Sequence, residues 1–234
     1  MSTVAGARQG KSLGIRPRAR ENLRPDNLAE QAYHSLRTLI LERQIAPGAA
    51  VVEGRLAEEL RISRTPMREA LVRLVGEGLL ERADARSYSV RKISPTEYFQ
   101  SMHVRALVET HAMDLAIDRV APALVDALMR DIRRLAKERE QEALHWQADD
   151  TLHLMFARAS GNAVLVSVIE TLRVNTRLFE IAGPFRRVAT DGGEHLAILG
   201  AWREGDLQGA KKALVAHLRS LEQEALDVLS GRRV

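Results

Sequence analysis

The chain contains no cysteine, which removes disulfides, thiolate metal ligands and a cysteine nucleophile from consideration. Aromatic residues make up only 4% of it, too few for the stacking platforms of a single-strand nucleic-acid binder. No apolar run reaches the ~18–20 residues of a membrane-spanning helix, so no membrane partner is expected. The first 20 residues hold Arg8, Lys11, Arg16, Arg18 and Arg20 without an acid, and they lack the apolar core of a secretory signal. Residues 1–24 are therefore read as a disordered basic arm, and the protein as cytoplasmic and nucleoid-associated. There is no Walker motif and no dinucleotide fingerprint.

With 234 residues and 45% apolar content, the chain can form two modest domains with real cores. Its formal charge of +4 is unevenly placed. Residues 1–91 carry 16 Lys and Arg against 11 Asp and Glu, while residues 92–234 carry 19 against 20. A positive field confined to the N-terminal part suits a polyanionic partner there. A basic tail beside an ordinary domain would give the same balance.

That part is built around the stretch from Ile62 to Leu71. Leu56, Ala57 and Leu60 form one apolar face. Ser63 stands where a helix cap belongs, and Pro66 falls in the first turn, where a missing N–H costs nothing. Met67, Ala70, Leu71 and Leu74 recur at helical spacing and face inward. Arg64, Thr65 and Arg68 are left outside near the helix N-terminus, the arrangement of a DNA-recognition helix. Arg73, farther along, reads as a phosphate contact or a solvated residue. Upstream, residues 28–42 predict a helix with Leu28, Ala32, Leu36, Leu39 and Ile40 inside and Asp26 or Asn27 as its cap. Pro47-Gly48 marks a turn, Ala49–Val52 a short strand or extended lead-in, and residues 53–60 a second helix. Downstream, Gly78 ends the recognition helix, and residues 79–82 and 88–91 read as strands. Three helices and a hairpin predict a winged helix-turn-helix over residues 25–92, its helix in the major groove and its hairpin tip on backbone or minor groove.

Ser94-Pro95 with Glu97 signals a helix start. From there segments at about 95–117, 121–142, 146–160, 163–181, 188–203 and 206–230 predict an all-α six-helix bundle over residues 93–230. Gly161-Asn162, Gly183-Pro184, Gly192-Gly193 and Gly205-Asp206 punctuate it. Asp149 and His153 lie four apart and share a helix face, while His195 and His217 lie on two later helices. If they converge, one carboxylate and three imidazoles make a divalent-metal site with positions left open. Spacing alone equally allows interior histidines with ordinary hydrogen bonds.

The run from Ile45-Ala46-Pro47-Gly48 through Leu56–Leu60 and Ile62–Leu71 to Leu74 and Glu77-Gly78-Leu79 resembles the DNA-binding domain of the GntR family of bacterial transcriptional regulators. The resemblance implies that Arg64 and Arg68 contact operator bases or phosphates and Thr65 the backbone, with Ser63 and Arg73 flanking them. Two departures stand out. Gly54 occupies a position where some relatives carry a DNA-contacting Arg, and Arg55 is a neighbour that can replace it or not. At the wing, Arg86-Ser87 replaces a common Arg-Gly pair, which makes the turn less permissive.

Asp149–His153 followed by Ser160-Gly161-Asn162, and Glu194-His195, Ile198, Ala201, Gly205-Asp206, Ala210 and His217, resemble the FCD ligand-binding domain of the FadR-like GntR subfamily. Six helices and the retained histidines favour its metal-containing, VanR-like branch. This resemblance implies that Asp149, His153, His195 and His217 bind a divalent ion (Zn, Ni, Mn or Fe, zinc foremost). It makes Asp149 rather than Asp150 the ligand, and leaves His103, His111 and His145 as surface or junction residues. Arg105 and Glu109 either pair with each other, or Arg105 takes an effector carboxylate bidentately. Asn175 and Arg177 are further effector-binding candidates.

These features imply a homodimeric, ligand-responsive transcription factor and not an enzyme. It would be a repressor released from palindromic double-stranded operator DNA by a small carboxylate effector. Two other classes stay open. One is a helical metalloenzyme fused to a DNA-binding domain, since such a site can activate water, although no separate nucleophile or acid–base pair is visible. The other is an architectural DNA-binding dimer without an effector.

Overall fold

The computed structural model describes residues 28–84, 87–138, 143–185 and 187–232. The basic arm, the Asp26 or Asn27 cap and Arg86 of the wing lie outside the described residues. The N-terminal unit runs α1 (Leu28–Leu41), β1 (Ala50–Val52), α2 (Glu53–Leu60), α3 (Arg64–Gly76), β2 (Leu80–Arg82) and β3 (Ser87–Val90). α1 buries Ala32, Tyr33, Leu36, Leu39 and Ile40, while Leu28 is only half-buried. α3 turns Met67, Ala70, Leu71 and Leu74 inward against α1. The strands form an antiparallel sheet in the order β1-β3-β2, with Val51 opposite Tyr88 and Leu80 opposite Val90. Period-two alternation sends these four side chains to the core. Of the Ala49–Val52 stretch, residues 50–52 are thus a strand that extends the wing hairpin.

Gly78 closes α3 with φ +75°, as a left-handed helix terminator should. Ser63 sits at the N-cap of α3 with extended backbone, but its side chain makes no capping bond, and the first turn holds no acid. The first-turn N–H donors of α3, which no earlier turn can satisfy, therefore lack a side-chain cap.

The C-terminal unit is all helical: α4 (Pro95–Leu115), α5 (Pro122–Leu135), α6 (Ala143–Ala159), α7 (Ala163–Ala182), α8 (Val188–Arg203) and α9 (Leu207–Leu229). Ser94 caps α4 by accepting from the Glu97 N–H at 3.1 Å, and Asn162 caps α7 by accepting from the Leu165 N–H at 3.0 Å. Gly192-Gly193 does not punctuate the chain as expected; both lie inside α8. A Cβ on Gly192 would stand 2.5 Å from the Ala136 Cβ. The missing side chain therefore lets α8 approach the end of α5 closely and carries His195, one turn on, toward the bundle interior.

α7 belongs to two cores. Leu165 and Ile169 pack in the bundle core, while Leu178 and Ile181 complete the core of the N-terminal unit. The junction is also pinned by polar contacts. Arg43 donates to the Glu180 carbonyl at 3.3 Å. Arg91 donates to the Asn175 carboxamide oxygen at 3.1 Å and to Glu97 at 2.6 Å.

Candidate functional site

The predicted DNA-facing residues line one end of α3. Ser63, Arg64, Thr65 and Arg68 are exposed. Arg68 donates through Nε and Nη2 to both carboxylate oxygens of Glu53, each at 3.0 Å. Glu53 is itself nearly buried at 3% exposure, so this fork fixes the plane of Arg68 and leaves Nη1 uncommitted to Glu53. The Nη2 of Arg64 lies 3.8 Å from where a Cβ on Gly54 would be, an ordinary contact distance, so the two positions adjoin. Arg55 pairs with Glu59 at 3.1 Å. Arg73 is engaged toward α1: it donates to Glu30 at 2.6 Å and lies 3.6 Å from the Tyr33 ring centroid.

In the bundle, Asp149 and His153 from α6, His195 from α8 and His217 from α9 present ligand atoms that all lie within 4.8 Å of one another. The Nε2 atoms of His153 and His195 are each 3.5 Å from the Asp149 Oδ1, and the Nε2 atoms of His195 and His217 are 3.3 Å apart. Carboxylates brace the far sides of two rings. Glu109 Oε2 lies 2.6 Å from His153 Nδ1, and Glu194 Oε2 lies 2.7 Å from His217 Nδ1. Each carboxylate favours an Nδ1–H tautomer, which turns an Nε2 lone pair toward the cluster.

Burial pushes the His217 imidazole down to about 4, although Glu194 opposes it, and burial beside His217 holds His195 well below the usual histidine range. Burial alone would raise the Asp149 carboxyl, but Arg173, the adjacent His153 imidazole and Arg177 together hold it well below the usual carboxylate range. His153 Nε2 is buried without a hydrogen-bond partner. Neutral imidazoles, an ionised carboxylate and an orphaned inward-facing nitrogen fit a divalent cation. This cluster can chelate one.

The cluster forms the wall of a cavity of about 60 Å³, room for a few waters or a small molecule. Arg105, Arg173, Arg177 and Arg187 all reach it. Arg173 and Arg177 lie four apart on α7 and both donate to Asp149 Oδ2, at 2.8 and 2.6 Å. Arg173 also bonds Asp150. Arg177 stacks 3.5 Å from the Trp146 ring centroid.

Residues 28–90 match the family described as bacterial regulatory proteins, gntR family, and residues 100–220 match the FCD domain. The chain belongs to the GntR family and carries an FCD domain. It is 25% identical over 206 residues to the HTH-type transcriptional repressor RspR of Escherichia coli (strain K12), covering 85% of this chain and 89% of that one. Its fold is similar to that of E. coli McbR/YncC, with a TM-score of 0.72, 22% identity, and 88% and 99% of the two chains covered. It is also similar to a metal-free FCD domain of TM0439, with a TM-score of 0.54, 21% identity, and 60% and 99% covered. Membership in this family is consistent with a non-catalytic, ligand-sensing regulator.

Within this GntR regulator, the first of the two arrangements expected for Arg105 is present: Nε donates to Glu109 at 2.7 Å and Nη1 to Thr176 at 3.0 Å, and the side chain also lines the cavity. Other expectations about the sensor need correction. Asn175 does not line the cavity. Two residues from Arg177 is about 200° around a helix, so it points to the junction, where it bonds Arg91 and Ser101. His145 is no surface residue; it is buried, lines the cavity and has its Nε2 3.1 Å from the Leu135 carbonyl. His103 and His111 are exposed as expected. Arg173, Arg187 and Trp146 were not singled out from the sequence. Trp146 could have been, since it precedes Asp149 by three residues and shares its face.

Proposed function

We propose that this protein is a homodimeric transcriptional repressor of the metal-containing, FadR-like (VanR-like) FCD branch. A small carboxylate, bound beside a divalent ion held by Asp149, His153, His195 and His217, would release it from a near-palindromic operator. The observation that carries this reading is α7. One face of that helix braces the Asp149 cluster through Arg173 and Arg177, and its C-terminal half completes the core beneath the recognition helix. A ligand that changes how α7 sits acts on both units. It shifts operator affinity to the extent that the DNA-bound and free states bind it unequally.

Arg64, Thr65 and Arg68 are the proposed operator contacts, with Ser63 at the uncapped start of α3 suited to a backbone phosphate. Arg73 is a more distant candidate, given its engagement with Glu30. Zinc is the foremost ion, followed by nickel, manganese and iron; when bound, it supplies open coordination positions for a carboxylate oxygen. The second protomer would pack against α4 and α7; these helices pack together and expose Val104, Leu107, Val164 and Val168, which supports that reading. An apolar face of this kind marks an interaction surface, and two-fold symmetry matches a palindromic operator. The repressing sign is supported by the name of the relative RspR. Among the described residues no helix is long and apolar enough to cross a membrane, in keeping with a cytoplasmic, nucleoid-bound site of action.

The test is operator binding. A duplex recovered by selection from a random pool should bind the wild-type protein in a salt-dependent manner. Arg64→Ala should weaken that binding by roughly 1–3 kcal/mol while the dimer persists in sedimentation. Wild-type affinity in that variant refutes the assignment.

A further inference from the structure

We infer that Glu53 is a positioning residue for sequence readout: it holds Arg68 so that the outer edge of the guanidinium meets a guanine in the major groove rather than a phosphate. This rests on the regulator reading above and gives a part in it to a side chain too buried to touch DNA itself. Glu53 opens α2 and is 3% exposed, whereas the Arg68 side chain, on α3, is 55% exposed.

Arg68 donates Nε to one oxygen of Glu53 and Nη2 to the other, each at 3.0 Å. Two parallel bonds fix both the direction and the plane of the guanidinium, which a single bond cannot do. An arginine has five N–H donors, and this pairing uses two. The remaining three make no hydrogen bond among the described residues. Two of them, one on each Nη, form a second fork along the outer edge, the geometry that guanine O6 and N7 accept.

Phosphate binding draws on net charge and on the counterions it releases. The Glu53–Arg68 pair has no net charge to offer; what it offers is orientation. The surroundings favour bases as well. Arg68 shares a groove on the outer face of α3 with Arg64, Thr65, Glu69 and Val72. Glu69 repels a phosphate, and Val72, 52% exposed, gives it no hydrogen bond. An acid and an apolar side chain beside an oriented fork suit base edges, where amino groups donate and thymine presents a methyl. The alternative role for the pair is a structural tie between α2 and α3 with no part in readout.

The experiment measures the affinity of full-length wild type, Glu53→Gln and Arg68→Lys for three kinds of duplex. These are the operator obtained by selection, the same operator with 7-deazaguanine at one guanine at a time, and a random sequence. The modified base pairs normally but lacks the N7 acceptor, so it should weaken wild-type binding at one guanine per half-site. Glu53→Gln should lose roughly 5–150-fold in operator affinity per half-site, the worth of a bidentate base contact, and should no longer respond to 7-deazaguanine at that position. On the random duplex it should bind at least as tightly as wild type, because a negative charge near the DNA has gone. Charge alone predicts tighter binding to every duplex, and a structural tie predicts equal loss on every duplex. Arg68→Lys keeps the charge but not the fork and should lose the same guanine, with no further loss there in the double variant.

The inference is overturned if no guanine is N7-sensitive in wild type, if Glu53→Gln keeps the wild-type response to 7-deazaguanine, or if it weakens operator and random duplex by one factor. Should Glu53→Gln fail to fold, an Arg68→Lys protein that senses every N7 as wild type does overturns it instead. Absence of operator-specific binding by wild type defeats the regulator, whereas specific binding that Glu53→Gln leaves unaltered defeats only this inference.

Discussion

Zinc should stabilise the chelator-stripped protein, and the size of the effect should fall in a definite order across two variants. The native cluster offers three imidazoles and a carboxylate within 4.8 Å of one another, a set the unfolded chain does not hold together. Binding to the native state alone adds RT ln(1 + [Zn]/Kd), about 2.7 kcal/mol at a hundredfold excess over Kd. For a chain of this size that is a rise in Tm of roughly 5–11 °C. Glu194→Gln leaves every ligand in place but removes the charge that braces His217 Nδ1 at 2.7 Å. Loss of such a brace weakens metal affinity by roughly 10–100-fold, so at the same zinc concentration the stabilisation shrinks to about 0.4–1.4 kcal/mol. His195→Ala removes a ligand outright and should abolish the shift. Differential scanning fluorimetry across a zinc series reads all three proteins, and metal analysis of the same samples gives the stoichiometry. The reasoning is refuted if His195→Ala responds like wild type, or if zinc, nickel, manganese and iron(II) all leave the wild-type Tm unmoved.

Two further perturbations test the physics beneath the site and the fold. In the metal-stripped protein, burial lowers His217 to about 4 from its ordinary 6.5. Between those values the unfolded chain takes up a proton that the native ring refuses, so this contribution is present above pH 6.5 and lost as pH falls toward 4. Wild type should lose about 3 kcal/mol more than His217→Gln over that window, read by urea denaturation; parallel curves would show that the ring is not desolvated. Leu178 is fully buried and lies in α7, yet it packs in the N-terminal core. Leu178→Ala should cost about 2–5 kcal/mol, with increased hydrogen exchange in α1 and α3, and loss of protection confined to the sensor helices would contradict the shared core.

Much of the fold was legible because the helices announce themselves by apolar period and by caps. Ser94 and Asn162 accept from the expected first-turn N–H groups, and the stripe of α3 is buried as read. The clearest misplacement is the end of α5, expected near residue 142 and found at Leu135. Lys137 and Glu138, the charged residues that follow, offer no apolar face, and propensity without a face to bury is a weak guide. In the site, Asp149 and His153 could be paired by their spacing alone. The convergence of His195 and His217 could not, because it depends on how α8 packs against α9, and only the family resemblance anticipated it. Arg173 escaped notice for the same reason, since its carboxylate partners sit on α6, across a helix–helix contact that no local pattern encodes. Helical geometry, by contrast, could have removed Asn175 from the pocket. It could also have added His145, which with Asp149 and His153 makes a stripe at intervals of four.

The shared helix also has a consequence for the order in which the protein comes into being. The ribosome completes β3, the last element of the winged unit, well before it reaches Leu178 and Ile181. At ~5–20 residues per second, that gap lasts roughly 5–18 s. Throughout it the nascent winged unit lacks two side chains of its core and leaves the apolar surface beneath them uncovered. The same holds for any chain cut short before α7: premature termination leaves the winged unit without two side chains of its core. The core of the winged unit is therefore complete only once the helix that braces the sensor has been made.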